Sequence, residues 1–284
     1  MKVLILGATG MLGNTALRLF AGSRSCETWG TARATTVRQL FAPGVQERVV
    51  WGVDIEDIDG VMRVLLQVRP EVVINCVGLV KQHALAQDAA AAIQINALLP
   101  HRLAKLCQLA NARLIHISTD CVFAGARGTY REFDSADAQD LYGRSKLLGE
   151  VDYPNALTLR TSIIGHELAS VHGLIGWFLA QGGPIKGFKR AIFSGLPAVE
   201  LSRVIRDYVL PRVELRGLYH VSAAPISKYE LLRLVAQVYG KAIEIVPDDE
   251  PVIDRSLDSS RFRELVGYHP PEWPDLVRSM REFG

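Results

Sequence analysis

Cysteine is scarce in this 284-residue chain: Cys26, Cys76, Cys107 and Cys121 are scattered, with no CxxC pair and no histidine-rich neighbour. Neither a disulfide framework nor a metal site is indicated, and reduced thiols in a cytoplasmic setting are the simpler reading. Charge of one sign is missing too, since 32 Lys and Arg against 30 Asp and Glu leave +2 without a long run of either. That balance gives no footprint for nucleic acid or for a membrane surface. No uncharged apolar stretch approaches the ~20 residues of a membrane span, the run Leu174–Leu179 included. A signal-peptide core is absent as well, because Met1-Lys2 leads at once into the short Val3-Leu4-Ile5-Leu6 and then glycine. There is no internal repeat and no low-complexity tract; the alanines at 89–92 fall within a helical pattern. The expectation is a soluble, unprocessed protein without a metal.

What is present is apolar sequence in quantity, 49% hydrophobic against 22% charged residues, enough for one large domain or two unequal ones. Apolar runs at 3–6, 49–53, 71–77, 113–117 and 156–159 alternate with longer helix-patterned segments, which is the βαβ rhythm. The runs are continuously apolar, as parallel strands covered on both faces require. A doubly wound, Rossmann-like α/β sheet is expected. Between Ser162 and Pro197 the rhythm breaks: Gly173, Gly176, Gly182-Gly183-Pro184 and Gly187 interrupt a patch bearing Lys186, Lys189 and Arg190, which reads as an inserted substrate-facing region. A helix near 199–210, a strand at 217–221, a helix near 227–239, a strand at 243–246 and a small C-terminal cap follow. The division expected is a dinucleotide-binding domain over 1–164, completed by 196–222, and a smaller substrate-binding domain from 165–195 and 223–284.

Directly after the first strand comes Gly7-Ala8-Thr9-Gly10-Met11-Leu12-Gly13, and the helix pattern opens within it. Glycines there permit a tight turn, let pyrophosphate approach the backbone, and leave helix N-terminal N–H groups facing the anion. Gly7, Thr9, Gly10, Met11 and Leu12 are therefore candidate cofactor-binding residues. The end of the second strand selects the dinucleotide: a carboxylate would hold a ribose 2′-hydroxyl, a cation a 2′-phosphate. Residues 28–36 hold no acid but do hold Arg33, which favours NADP(H) over NAD(H) unless Arg33 is only a solvated charge. Asp54-Ile55 closes the third strand, where the carboxylate can accept from an adenine amino group or cap a helix over 56–68.

Tyr142 and Lys146 stand four residues apart, on one face of a helix. A nearby cation favours phenolate, so Lys146 is expected to lower the phenol's pKa from its usual ~10. Thr119 lies at the C-terminal end of the fifth strand, where open α/β sheets bind ligands, and its hydroxyl could donate to a carbonyl oxygen. Loop capping is the alternative role for Ser118 and Thr119.

The ordered set of the Gly7–Gly13 loop, Asn75-Cys76-Val77-Gly78, Asn96, Ser118-Thr119-Asp120 and Tyr142-to-Lys146 followed by Leu147-Leu148-Gly149-Glu150 resembles the extended short-chain dehydrogenase/reductases. Within them it is most similar to the dTDP-4-dehydrorhamnose reductase group, a likeness extended by Leu159-Arg160-Thr161-Ser162 and Tyr219-His220-Val221-Ser222. The resemblance implies that Tyr142 protonates a ketone oxygen as hydride arrives from the nicotinamide. It implies that Lys146 holds the nicotinamide ribose and that Thr119 bonds the same ketone oxygen. It places Cys76, Val77, Gly78, Ser118, Thr161 and Ser162 along the cofactor cleft, with Asn96 steadying the helix beneath. Dehydratases of the superfamily follow the catalytic threonine with Asp-Glu, whereas this chain has Asp120-Cys121, so elimination lacks its base. Epimerases keep a bound NAD and gain nothing from a 2′-phosphate site.

The chain departs from the rhamnose-forming group at Leu79-Val80-Lys81-Gln82-His83 and at Gly195-Leu196-Pro197-Ala198. Lys81, Lys186 and Arg190 could clamp a substrate diphosphate, with Trp177 in the same substrate-facing region, or be solvated charges. His166 and His220 are expected to be structural histidines. The expected function is an NADPH-dependent reductase of a nucleotide-activated 4-keto deoxysugar. An NAD-retaining epimerase and a non-catalytic NADP-binding regulatory subunit are the alternatives, and a homo-oligomer is left open.

Overall fold

In the computed structural model, which describes residues 1–80 and 87–284, the first apolar run forms strand β1, Lys2–Leu6. Its side chains alternate between two cores: Val3 and Ile5 enter one, Leu4 and Leu6 the other. Burial on both faces is why the run is continuously apolar. Strands β2 (Glu27–Ala32), β3 (Val49–Trp51), β4 (Val72–Asn75), β5 (Arg113–Thr119) and β6 (Ala156–Thr161) share the sheet with β1 and with a seventh strand, Gly217–His220. The spatial order is β3-β2-β1-β4-β5-β6 and then Gly217–His220, every neighbouring pair parallel. This is the doubly wound α/β fold expected. Strand order reverses between β1 and β4, which opens a crevice beyond their C-terminal ends.

The crossover helices close both faces. Val61, Val64, Leu65 and Val68 form the buried stripe of helix Ile58–Val68, spaced as one face of a helix demands. Each such side chain contributes about 1.5–3 kcal/mol by leaving water. That helix ends at Arg69 in the left-handed region, just before Pro70, which cannot continue it. On the opposite face, helix Met11–Ala21 packs with helix Ala198–Val204. The C-terminal helix Trp273–Phe283 joins the same core through Trp273, Leu276, Val277 and Met280, so the expected cap is continuous with the sheet's own interior.

Several boundaries differ from the sequence reading for local reasons. β3 stops at Trp51 because Gly52 turns the chain with φ +75°. β4 stops at Asn75, whose Oδ1 accepts the Val77 N–H at 3.1 Å and bends the backbone away. β5 and β6 run on to Thr119 and Thr161. The helix expected from 56 begins at Ile58. The strand expected at 243–246 is Ile245–Asp248, and it pairs with Ile185–Phe188 outside the main sheet. Nearby, Ala191–Phe193 is flanked by Ile226–Ser227 and Ile253–Asp254. The glycine-interrupted region is thereby tied to the chain that follows the seventh strand. Helix Lys228–Tyr239 between them starts with a reciprocal Ser227–Glu230 capping box and ends at Gly240 in the left-handed region.

Candidate active site

At the crevice, β1 runs into Gly7, whose φ of +82° a side chain would rarely tolerate. The Gly7 N–H donates to Thr31 Oγ1 at 3.3 Å and Ala8 N–H to the Thr31 carbonyl at 2.8 Å, which pins the turn to β2. At Gly13 a Cβ would overlap the Gly7 carbonyl, so the first helical turn can lie on the loop only without one. Helix Met11–Ala21 opens at Gly10 with no side-chain cap and no acid in its first turn. Its leading N–H groups and positive dipole end are left for an anion. Thr9, Gly10 and Met11 lie at the mouth, whereas the Leu12 side chain belongs to the core, so Leu12 offers backbone alone.

Arg33 follows the last residue of β2 and is exposed. Asp54 is exposed too, its Oδ1 accepting the Glu56 N–H at 3.0 Å. It opens the turn before the helix, where Asp57 occupies the capping position, and Ile55 packs against the core beneath. Cys76 and Val77 are half-buried and Gly78 exposed beyond β4. A Cβ at Gly78 would lie 3.4 Å from Asn96 Oδ1 and 3.9 Å from Lys146 Nζ, so these residues meet at one place.

Asn96 sits in a π-helical segment, Ile93–Leu98, between Ala89–Ala92 and Leu99–Leu109. Such wide turns recur at functional sites. Its amide grips both sides of Leu79, accepting from N–H at 2.9 Å and donating to the carbonyl at 3.0 Å, and also donates to Ser145 Oγ at 3.2 Å. It thereby locks the loop after β4 to the helix carrying Tyr142 and Lys146.

That helix, Leu141–Leu148, is capped by Asp140, whose carboxylate accepts the Gly143 N–H at 2.8 Å. Gly143 lets it press against the turn after β5, where a Cβ would overlap the Cys121 carbonyl. The Thr119 hydroxyl donates to Asp120 Oδ1 at 3.1 Å, accepts the Cys121 N–H at 3.1 Å and is hydrogen-bonded to Tyr142. Lys146 Nζ donates to the Ile117 carbonyl at 2.7 Å, and desolvation lowers its pKa to about 8 against the opposing pull of Glu150.

The expected lowering of the phenol by Lys146 is corrected by the structure. Desolvation first, then the charges of Cys121, Asp120 and Asp140, raise the Tyr142 pKa, and the Thr119 hydrogen bond offsets this only in part. Asp120 is likewise raised, chiefly by burial, opposed by a hydrogen bond from the Cys121 thiol and by the Arg255 and Lys228 charges.

The other proposed residues divide. The Ser118 hydroxyl is committed to Glu150 Oε1 at 2.7 Å, and Glu150 forms a two-pronged ion pair with Arg160 at 2.7 and 2.6 Å. Arg160 also donates to His220 Nε2 at 3.3 Å, so the ring's Nδ1 proton goes to the Tyr130 carbonyl at 3.0 Å. His220 is thus neutral and fully partnered, its pKa lowered by burial to about 4. His166 bonds the Tyr239 hydroxyl at 2.9 Å. Both histidines play the structural role expected. Thr161 donates to the Ser162 carbonyl at 3.2 Å, an oxygen that also accepts the Leu196 N–H at 2.8 Å.

Lys81 lies outside the described residues. Lys186 is an exposed partner of Asp248 at 2.9 Å, Arg190 is exposed, and Trp177 is partly exposed on helix Leu174–Ala180. The sequence reading missed Arg255, which reaches the turn after β5 from the C-terminal third, and Lys228, whose charge acts on Asp120. Arg255 Nε donates to the Phe123 carbonyl at 2.7 Å. No local pattern marks either one, because each lies more than 100 positions from its partner. Among the described residues no cluster of His, Cys, Asp and Glu could hold a metal ion, and no helix is long and apolar enough to cross a membrane.

A family model described as the RmlD substrate binding domain matches residues 1–281. The chain belongs to this family. A dTDP-4-dehydrorhamnose reductase of Aggregatibacter actinomycetemcomitans is 24% identical, with 99% of each chain covered. The methionine adenosyltransferase 2 subunit beta of Bos taurus is 31% identical over 97% of this chain and 88% of its own. Among solved structures, a dTDP-4-dehydrorhamnose reductase of Bacillus anthracis in complex with NADP superposes with a TM-score of 0.81 at 22% identity, covering 99% of this chain and 98% of the other. At that identity the likeness establishes the RmlD-family fold.

Proposed function

We propose that this RmlD-family chain is an NADPH-dependent reductase of a nucleotide-activated 4-keto deoxysugar. The observation that carries the reading is the hydrogen-bonded Thr119–Tyr142 pair, with Lys146 one turn along the same helix, at the crevice that holds the uncapped glycine loop. The cradle fits a dinucleotide: the helix N-terminus and the glycines are suited to pyrophosphate, and the exposed Arg33 to a 2′-phosphate. When bound, NADPH supplies the hydride.

The chain's own residues do the rest. Tyr142 donates its proton to the ketone oxygen. A phenol raised above its usual range stays protonated at neutral pH, which is the form reduction needs. Lys146, still largely an ammonium below its pKa of about 8, favours the phenolate left behind and binds the nicotinamide ribose. Thr119 orients the phenol. Cys121 stands where a dehydratase places a second carboxylate, and its thiol donates to Asp120 instead of accepting a proton from the sugar. Residues 1–164 with 196–222 hold the dinucleotide, and 165–195 with 223–284, including Trp177 and Arg190, form the substrate-binding part.

Purified protein offered a panel of nucleotide-linked 4-keto sugars should oxidise NADPH with at least one. Protein that binds NADPH yet consumes none with any member overturns the proposal. A second reading, a regulatory subunit that binds the cofactor without turnover, is favoured by the subunit-beta relatives. That of Bos taurus is 31% identical over 97% of the chain, against 24% for the reductase of Aggregatibacter actinomycetemcomitans. That reading predicts NADPH binding and no oxidation.

A further inference from the structure

We propose that His116 is the positioning residue for the loop that follows β4: through the Asn75 amide it holds the Val77 N–H, and with it the wall of the crevice that faces Gly7. The inference rests on the reading of that crevice as a dinucleotide site, and it adds a residue that touches no ligand. His116 lies in the middle of β5, opposite Asn75 of β4 and Thr158 of β6, so a polar row crosses three central strands. The ring is fully buried and Asn75 is 1% exposed. The strand neighbours Leu114, Ile115 and Ile117 are aliphatic, so packing alone gives no reason for an imidazole here. Its Nε2 has no hydrogen-bond partner among the described residues, which leaves Nδ1, 3.1 Å from Asn75 Nδ2, as the atom that ties the ring to the protein.

The roles in this chain of bonds are fixed by its last member. A backbone N–H can only donate, so the Asn75 oxygen is the atom that accepts from Val77, at 3.1 Å. The amide nitrogen is thereby turned to His116 as a donor, and Nδ1 must accept. The ring is therefore neutral, with its proton on Nε2. A proton on Nδ1 would set one N–H against another and release the amide. Burial keeps the ring neutral, aided by the charges of Lys146 on helix Leu141–Leu148 and of His101 on helix Leu99–Leu109.

What the amide fixes is the approach of two loops. A Cβ on Gly7 would lie 2.9 Å from Val77 Cγ2 and 3.4 Å from the Val77 nitrogen, so Val77 packs directly on the first glycine of the phosphate loop. The far end of the same segment is gripped at Leu79 by Asn96. Residues 75–79 are thus held at both ends by a buried amide, and His116 orients the first as Ser145 orients the second. With an aliphatic residue at position 116, the Asn75 amide loses the acceptor that sets its orientation. The Val77 N–H then loses a fixed partner, and the wall beside Gly7 loosens.

Two substitutions separate positioning from bulk. His116→Leu fills the space but offers no acceptor, whereas His116→Asn places an amide oxygen near the position of Nδ1. By cofactor fluorescence, NADPH affinity should fall about tenfold in His116→Leu, the scale of one buried hydrogen bond lost, and stay within about threefold of wild type in His116→Asn. Unchanged affinity in His116→Leu, or an equal loss in both variants, overturns the proposal. Amide hydrogen exchange at Val77 makes the same comparison without cofactor. Protection should persist in wild type and His116→Asn and drop by about tenfold or more in His116→Leu; equal protection in all three overturns the proposal. Nitrogen-15 spectra of wild type should show His116 protonated at Nε2 alone, and a proton on Nδ1 overturns the assignment even if neither variant folds. Wild-type protein that binds no NADPH, while Val77 exchange responds as expected, leaves the role of His116 standing and counts against the dinucleotide reading.

Discussion

Glu150 and Arg160 illustrate how individual residues serve the site without touching it. Both are below one-tenth exposed and bonded twice to each other, while Ser118 fixes Glu150 from β5 and His220 receives Arg160 from the seventh strand. Glu150→Ala strands a buried guanidinium, and the expected cost is about 3–5 kcal/mol, read as a lower urea midpoint at constant m-value. Replacing both partners together by apolar residues of similar size should cost far less.

His220 makes a pH prediction of definite sign. In the folded chain it resists protonation until about pH 4, whereas an unfolded histidine takes up its proton near 6.5. Below 6.5 the unfolded state gains protons that the folded state does not, so stability falls as pH drops from 6.5 to about 4, by roughly 3 kcal/mol in all. His220→Gln should flatten that part of the stability–pH curve relative to the parent; an identical slope in both proteins counts against it. Arg33→Ala tests the dinucleotide preference, with the expected outcome a loss of NADPH affinity of tenfold or more and little change for NADH.

At the scale of elements, the geometry of the candidate site depends on close approaches that only glycine permits. Gly13 brings the first helix onto its own loop, Gly143 brings helix Leu141–Leu148 onto the turn after β5, and Gly149 brings that helix's end onto Asn96. Gly13→Ala places a methyl against the Gly7 carbonyl, so the loop must open. The expected result is at least a tenfold loss of NADPH binding, by cofactor fluorescence, in protein that still shows native circular dichroism. A mutant that binds normally would mean the loop does not hold the cofactor.

The same elements show what could be read in advance. β1, its glycine loop and the following helix are contiguous, and their chemistry is local, so the sequence pattern displays them directly. The Tyr142–Lys146 spacing is local as well. Strand ends were less legible because single contacts decide them, such as Asn75 bonding Val77 and Gly52 reversing the chain.

Across the whole molecule, what stayed hidden is what folding assembles from distant parts. The charges of Arg255 and Lys228 act on Asp120 from more than 100 positions away in the chain, and nothing near either residue distinguishes it from a solvated charge. The state of Tyr142 was hidden for the same reason, since its desolvation and the carboxylates around it arise only after packing. Lys186 is the converse: a cation in a suggestive segment that the fold spends on an exposed bond to Asp248. An open cavity of about 720 Å³ beside the edge strand, lined by residues such as Arg131, Phe133, Tyr219 and Arg261, includes none of Thr119, Tyr142 and Lys146. At the strand reversal the glycine loop meets the turn after β4, which in turn lies against Asn96 and Lys146.

The central claim is that Tyr142 acts as the proton donor of a reductase, and the most direct test is Tyr142→Phe assayed beside wild type for NADPH oxidation with an accepted 4-keto nucleotide sugar. The account predicts a kcat about 10²- to 10⁴-fold lower with NADPH affinity preserved. Equal rates in the two proteins would contradict it.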